Sequence, residues 1–250
     1  MPTYRGKTHV CLRPGPPVTR LSTVTWGPDR FRVGPWHAED GVAYVAVPPQ
    51  VGPPSRGGVE ELLRHLTESG YRNVLTAALR EQDVGSFLDA GFHERERLEV
   101  LSHDLRSIPK PSTRFSLRRP RPGERSSVLA IDTTAFEHGW RLDRDGLAEA
   151  IAATARTRFR VAIAEGPIGY AICGRADDMG YLQRLAIAPS AQRLGVATAL
   201  VSDALGWLQR RSALRALVNT QRTNVAALSL YERCGFVREP SQLAVLERAL

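Results

Sequence analysis

The ten residues AQRLGVATAL, 191–200, carry the plainest chemical signal in the sequence. They follow a run that reads as a β-strand and precede one that reads as a helix. A turn of this kind, with Gly195 near its end and small residues after it, presents a row of backbone N–H groups uncovered by side chains. The first four N–H groups of a helix have no partner inside it, and the helix dipole adds partial positive charge there. Gly195 lets a phosphate approach the backbone, and Ala197 keeps side-chain bulk away. Such a turn can hold an anion. An ordinary strand-to-helix connection has the same pattern, so the turn alone leaves both readings open.

Holding such a turn requires a strand before it and a helix after it, and both are legible. GYLQRLAIAP, 180–189, reads as the strand; in GVATALVSDALGWLQRR, Val196, Leu200, Ala204 and Leu208 share one helical face. Upstream, RFSLRR (114–119) alternates like a strand. Residues 122–136 start at a proline with Glu124 in the first turn and read as a helix. Residues 143–154 read as another, with Asp143 as N-cap. RFRVAIAE and PIGYAICGRA are two strands joined at Gly166–Pro167. Downstream come the strand RALVNTQ, the helix NVAALSLYERCGF and the final strand QLAVLERAL. This order predicts an α/β fold, a mixed β-sheet flanked by helices. The Pro-rich SIPKPST segment reads as a linker, dividing the chain into residues 1–106, a linker at 107–112, and residues 113–250. Residues 1–20 and 47–58 are turn-rich and predicted to be irregular.

Composition narrows the function. A chain of 250 residues with 42% apolar content buries one large or two modest cores. No run of 18 apolar residues exists, and the N-terminal segment lacks the apolar centre of a signal peptide, so neither a membrane span nor a leader is expected. Cys11, Cys173 and Cys234 are too scattered for a disulfide framework or a zinc site and read as packed side chains in a reduced cytoplasm; no metal is expected. The net charge of +8 invites a nucleic-acid reading, yet all 34 basic residues except Lys7 and Lys110 are arginine, a bias typical of GC-rich coding. Residues 1–112 hold 14 basic and 13 acidic residues; residues 113–250 hold 20 and 13. No basic stripe alternates with aromatics, so nucleic acid is the weaker reading and an anionic small molecule the stronger.

The strand LQRLAIAP ends in proline just before the turn. Gln192, Gly195 and Ala197 stand in a Q-x-x-G-x-A pattern, and Asn224, Ala227, Leu230, Tyr231, Gly235 and Phe236 in an N-x-x-A-x-x-L-Y-x-x-x-G-F pattern. In these features residues 113–250 resemble the GCN5-related N-acetyltransferase (GNAT) superfamily, whose Q/R-x-x-G-x-G/A turn and helix motif they fit. The resemblance implies direct acetyl transfer from acetyl-CoA to an amine acceptor in a cytoplasmic enzyme of bacterial type. It implies that the backbone of Gln192, Arg193, Leu194, Gly195, Val196, Ala197 and Thr198 cradles the coenzyme's diphosphate. Leu185, Ala186, Ile187 and Ala188 would serve the pantetheine arm and the oxyanion. Asn224 would hold that arm, although as a plain N-cap it would look the same, and Tyr231 would protonate the departing thiolate. Many members carry a glutamate base where this sequence has Arg184, which cannot accept a proton. Either another group or a water chain then takes the proton, with Glu137 and His138 as candidates, or the amine arrives neutral; Arg184 is expected to bind an acidic acceptor, and Phe136 and Trp140 to line the acceptor pocket. A coenzyme-binding regulator without turnover stays open as the alternative, as do acceptor identity and oligomeric state.

The first half resembles a degenerate second copy. At an offset of 144, Val74, Thr76, Gly91 and Phe92 fall on Val218, Thr220, Gly235 and Phe236; LEVLSHDL (98–105) falls on LAVLERAL (243–250) after one slip. Gly58–Val59 falls on Gly195–Val196 at an offset of 137. Ala197 then becomes Glu60, followed by Glu61, while Asn224 becomes Arg80 and Tyr231 becomes Phe87. Two carboxylates are expected where the diphosphate would sit, so this half is expected to bind no coenzyme.

Overall fold

The computed structural model describes residues 21–36, 39–48, 50–110 and 114–250. The turn-rich N-terminal segment, Cys11, the last two linker residues and residue 113 lie outside them. The first half runs β1 (Ser22–Trp26), β2 (Asp29–Pro35), β3 (Val42–Ala46), α1 (Arg56–Glu68), β4 (Asn73–Thr76), the two-residue β5 (Leu79–Arg80), α2 (Glu81–Asp89) and β6 (His93–His103). The second runs β7 (Ser116–Arg118), α3 (Arg125–Ala135), α4 (Arg144–Ala152), β8 (Arg156–Ile163), β9 (Pro167–Ala176), β10 (Met179–Ile187), α5 (Val196–Arg210), β11 (Arg215–Gln221), α6 (Val225–Arg233) and β12 (Val237–Ala249). Asp143 caps α4 as its sequence position suggests, its carboxylate accepting from Gly146 N at 2.7 Å. No described helix is long and apolar enough to cross a membrane.

All the strands join one mixed sheet, ordered β1-β2-β3-β4-β12-β6-β11-β10-β9-β8-β7, with β5 paired to β12. The order is palindromic about the central β12–β6 pair. On either side β4 answers β11, β3 answers β10, β2 answers β9 and β1 answers β8. The pairing senses match too: β3–β4 and β10–β11 are parallel, while β4–β12, β6–β11 and β6–β12 are antiparallel. The halves have exchanged their last strands. β6, which precedes the linker, pairs with β11 from Leu98↔Gln221 to His103↔Ala216. β12 in turn pairs with β4. The linker read at 107–112 therefore divides the sequence, while the sheet runs unbroken across it. A residue count could not show this, because strand exchange leaves each half's own pattern unchanged.

The cores follow from the exchange. Leu101 and Leu105 pack with Val218, Leu200, Leu228 and Tyr231, while Leu98 and Val100 pack on the other face with Tyr181, Leu217 and Val245. Cys173 and Cys234 are buried and free, and burial pushes the Cys173 thiol up to about 12. His103, at the end of β6, is buried against Phe236, and its Nδ1 accepts from Leu105 N at 2.8 Å. Its Nε2 has no partner. Burial holds its pKa below the ordinary 6.5. Its contribution to stability is therefore complete above pH 6.5 and is lost as pH falls below that value. Thermal melts from pH 7.5 to 5 should show a decline that His103→Asn reduces, since Asn Oδ1 can take the Nδ1 bond without gaining charge. An equal decline in both proteins would assign the effect elsewhere.

Candidate active site

β10 and β11 pair only from Met179↔Arg215 to Tyr181↔Leu217 and then part. A bulge between Leu182 and Arg184 on β10 marks the point of divergence. The opened strands enclose a cavity of about 480 Å³ that runs through the sheet. Its α5 side is made by the turn and by α6; its α3 side by Ala135, Phe136, Trp140 and Leu98.

The turn at the mouth of α5 is bare. Arg193 and Gly195 take left-handed φ values of 64° and 90°. This folds the chain back so that Gly195 caps α5 with no side-chain hydrogen bond and no acid in the first turn. A Cβ at Gly195 would meet nothing within 4 Å, so the space above the turn is open. Gln192, Arg193, Gly195, Val196, Ala197 and Thr198 line the cavity, as do Leu185, Ala186 and Ile187 on β10; Leu194 and Ala188 do not. Asn224 lines it while its Oδ1 accepts from Ala227 N at 3.1 Å, so the N-cap role and a place in the cavity coexist. Tyr231 reaches the cavity from α6, otherwise packed against Phe236. Its phenol is held above the ordinary range, mainly by burial and next by Cys234, with Arg184 opposing.

The acceptor side differs from the sequence-based expectation at three residues. Arg184 lines the cavity, but its charge is already paired within the protein. Its Nε and Nη2 each lie 2.8 Å from the carboxylate of Asp132, Nη2 also donates to Trp140 O at 2.6 Å, and the guanidinium stacks over Phe136 at 3.4 Å. Asp132, fully buried on α3, further accepts from Tyr170 Oη at 2.5 Å and Leu142 N at 2.6 Å. A buried carboxylate needs such partners, and removing one member strands the other charge at a cost of about 3–5 kcal/mol. Arg184 thus ties β10 to α3 and sets Phe136 and Trp140 at the cavity wall. Glu137 and His138, the candidates to take up the proton, are exposed and line no part of the cavity, because the short 3₁₀ turn His138–Trp140 directs Trp140 inward instead.

Leu98, Gln183, Asn219 and Gln221 also line the cavity. None was named from the sequence. The alternation of Asn219 and Gln221 in RALVNTQ was a usable signal, since polar residues on a central strand mark a lined opening. Leu98 had none, because it arrives from the other half through strand exchange.

In the first half the corresponding turn does not exist. α1 begins at Arg56, so Gly58 lies within the helix and its N–H bonds Ser55 Oγ at 3.0 Å. Behind it, Asp29 accepts from Ser55 N at 2.8 Å and Ser55 Oγ at 2.6 Å. A Cβ on Gly58 would lie 2.2 Å from Asp29 Oδ2. This buried carboxylate occupies the helix mouth, whereas Glu60 and Glu61, the expected blockers, are paired outward with Arg56 and Arg64. Arg80 is taken by Asp83 at 2.7 Å, and Phe87 is fully buried against Phe31 and Phe92.

The acetyltransferase (GNAT) family model matches residues 125–236. N-alpha-acetyltransferase 30 of Schizosaccharomyces pombe is 39% identical over 59 residues, 24% of this chain and 39% of that protein, so the match spans about two fifths of the curated relative's length. Among solved structures, a tandem GNAT protein from the clavulanic acid biosynthesis pathway superposes with a TM-score of 0.66 at 13% identity, covering 88% of this chain and 78% of that one. A GCN5-related N-acetyltransferase from Kribbella flavida gives 0.62 at 14%, covering 91% and 89%. At these identities the structural likeness is one of fold.

Proposed function

Residues 125–236 are a domain of the GNAT acetyltransferase family, and we propose on that basis that the chain transfers an acetyl group from acetyl-CoA to an amine in the cleft between β10 and β11. The contrast between the two helix mouths carries this reading. α5 opens on a bare left-handed turn, while α1 is closed by Ser55 and Asp29. Only the first is built to receive an external anion.

In this reading the diphosphate lies on the N–H groups of residues 193 to 198, and the thioester lies where β10 and β11 part. Backbone N–H groups on the edge of β10 that β11 leaves after Tyr181 face the carbonyl oxygen, where they stabilise developing negative charge. The amine nitrogen attacks the carbonyl carbon, the C–S bond breaks, and Tyr231 Oη gives its proton to the departing thiolate. With no carboxylate or imidazole among the described residues of the cavity wall, the amine loses its proton to solvent in the cleft or arrives neutral. Phe136, Trp140 and Leu98 hold the carbon skeleton of the acceptor.

Tyr231→Phe tests the acid role. We expect kcat to fall by about 10²–10³-fold with coenzyme affinity nearly unchanged in calorimetry. Because burial raises the phenol's pKa, it stays protonated throughout the working range. The wild-type kcat should thus rise with pH as the acceptor loses its proton and show no falling limb up to pH 10. An unchanged kcat in the variant at saturating acceptor removes Tyr231 from the chemistry.

A further inference from the structure

Two side-chain atoms at the heart of the cleft have nothing to bond. Gln183 Oε1 and Asn219 Nδ2 are both shut off from solvent, and neither meets a hydrogen-bond partner. The two residues sit on opposite walls of the same opening. Tyr181 and Leu217 are the last partners of the β10–β11 ladder, and Gln183 and Asn219 lie two residues beyond each of them. They also share a face of the sheet. Asn219 alternates with Leu217 toward Leu98 and Trp140, and the bulge sets Gln183 beside Arg184, which meets α3. This is the side from which an acceptor would enter. An unmade buried hydrogen bond costs about tenfold or more in equilibrium, so two side by side are conspicuous in a cavity wall.

Resting on the acetyl-transfer reading, we propose that these two carboxamides recognise a secondary amide next to the amine that is acetylated, so that the acceptor is the free N-terminus of a peptide-like molecule. The N–H and C=O of a trans amide point in opposite directions. One amide lying in the gap therefore donates to Gln183 Oε1 on one wall and accepts from Asn219 Nδ2 on the other. Terminal carboxamide torsions are soft, so each side chain turns its orphaned atom into the cleft with little hindrance. A polyamine brings donors only and leaves Nδ2 unserved. A single sugar hydroxyl does not span two walls, and the glucosamine arm of the test covers an aminosugar that uses two. The first half supplies the contrast: the counterpart of Asn219 there is Leu75, buried in an apolar cluster. The amide-reading pair is absent where the coenzyme turn is absent.

The test measures thiol release from acetyl-CoA with four acceptors: alanyl-alanine amide, its depsipeptide analogue with an ester oxygen in place of the N–H, putrescine and glucosamine. We expect kcat/KM to be highest for the dipeptide and about 10- to 100-fold lower for the depsipeptide. Gln183→Met removes the atom that reads the N–H, so the amide-to-ester ratio should collapse toward one. Asn219→Leu should lower amide and ester together, since both keep the carbonyl. A merely structural role for Gln183 would leave the ratio unchanged. If the variants fail to fold, judged by circular dichroism, the wild-type ratio decides alone. A ratio near one, a preference for putrescine or glucosamine, or acetyl-CoA bound with no acceptor consumed overturns the proposal. Failure to bind acetyl-CoA in calorimetry overturns instead the reading beneath it.

Discussion

Replacing Gly195 with Asp should abolish coenzyme A binding while leaving the chain folded. A Cβ at this position meets no atom within 4 Å, so the added carbon does not clash. A non-glycine residue at φ 90° costs about 1–3 kcal/mol, which circular dichroism on the variant should show the fold to survive. A diphosphate approaching the new carboxylate meets like charge at close range. Two unit charges 4 Å apart repel by about 4 kcal/mol at an effective dielectric of 20, close to a thousandfold in affinity. Calorimetry on wild type should give one coenzyme per chain, and on Gly195→Asp none. Asp29→Ala should not create a second site, because the counterparts of Asn224 and Tyr231 are Arg80, bound to Asp83, and the buried Phe87. Two coenzymes per wild-type chain, or undiminished affinity in the folded Gly195→Asp protein, would place the cradle elsewhere.

Removing residues 1–106 should leave residues 107–250 unable to fold as a soluble monomer. The deletion takes β6 from between β11 and β12. It withdraws Leu98, Val100, Leu101 and Leu105 from the cores that the second half uses. Losing a buried leucine costs about 2–5 kcal/mol, so the three leucines alone match the 5–15 kcal/mol of a typical domain. β11 would also be left with an open edge and β12 with no partner strand at all, which promotes aggregation. Co-expressing residues 1–106 and 107–250 as separate chains should restore a soluble complex, since the sheet and not the linker joins them. A folded, monomeric 107–250 fragment by size exclusion and circular dichroism would show that the exchanged strand is dispensable.

Much of this protein is written in local pattern. Helical periodicity marked α5 and α6, and Asp143 and Asn224 announced the starts of α4 and α6 because capping is a contact over three residues. The turn at Gly195 was legible for the same reason: a left-handed φ before a helix demands glycine within the turn itself. The repeat was also visible, since matched residues at a constant offset need no knowledge of their partners.

What the sequence could not decide were contacts between residues far apart in the chain. Arg184 read as a free cation because Asp132, 2.8 Å from it in space, lies on another element. Glu60 read as the blocker of the first-half turn, yet a helix continued by one turn moved it outward and brought in Asp29 instead. The exchange of β6 and β12 leaves no local mark, because a strand carries the same alternation whichever half it pairs with. By itself the sequence determined the elements of the second half, the bare glycine turn before α5 and the duplication. Only the tertiary structure decided which charges neutralise one another, which helix mouth stays open, and that the acceptor wall is built from both halves.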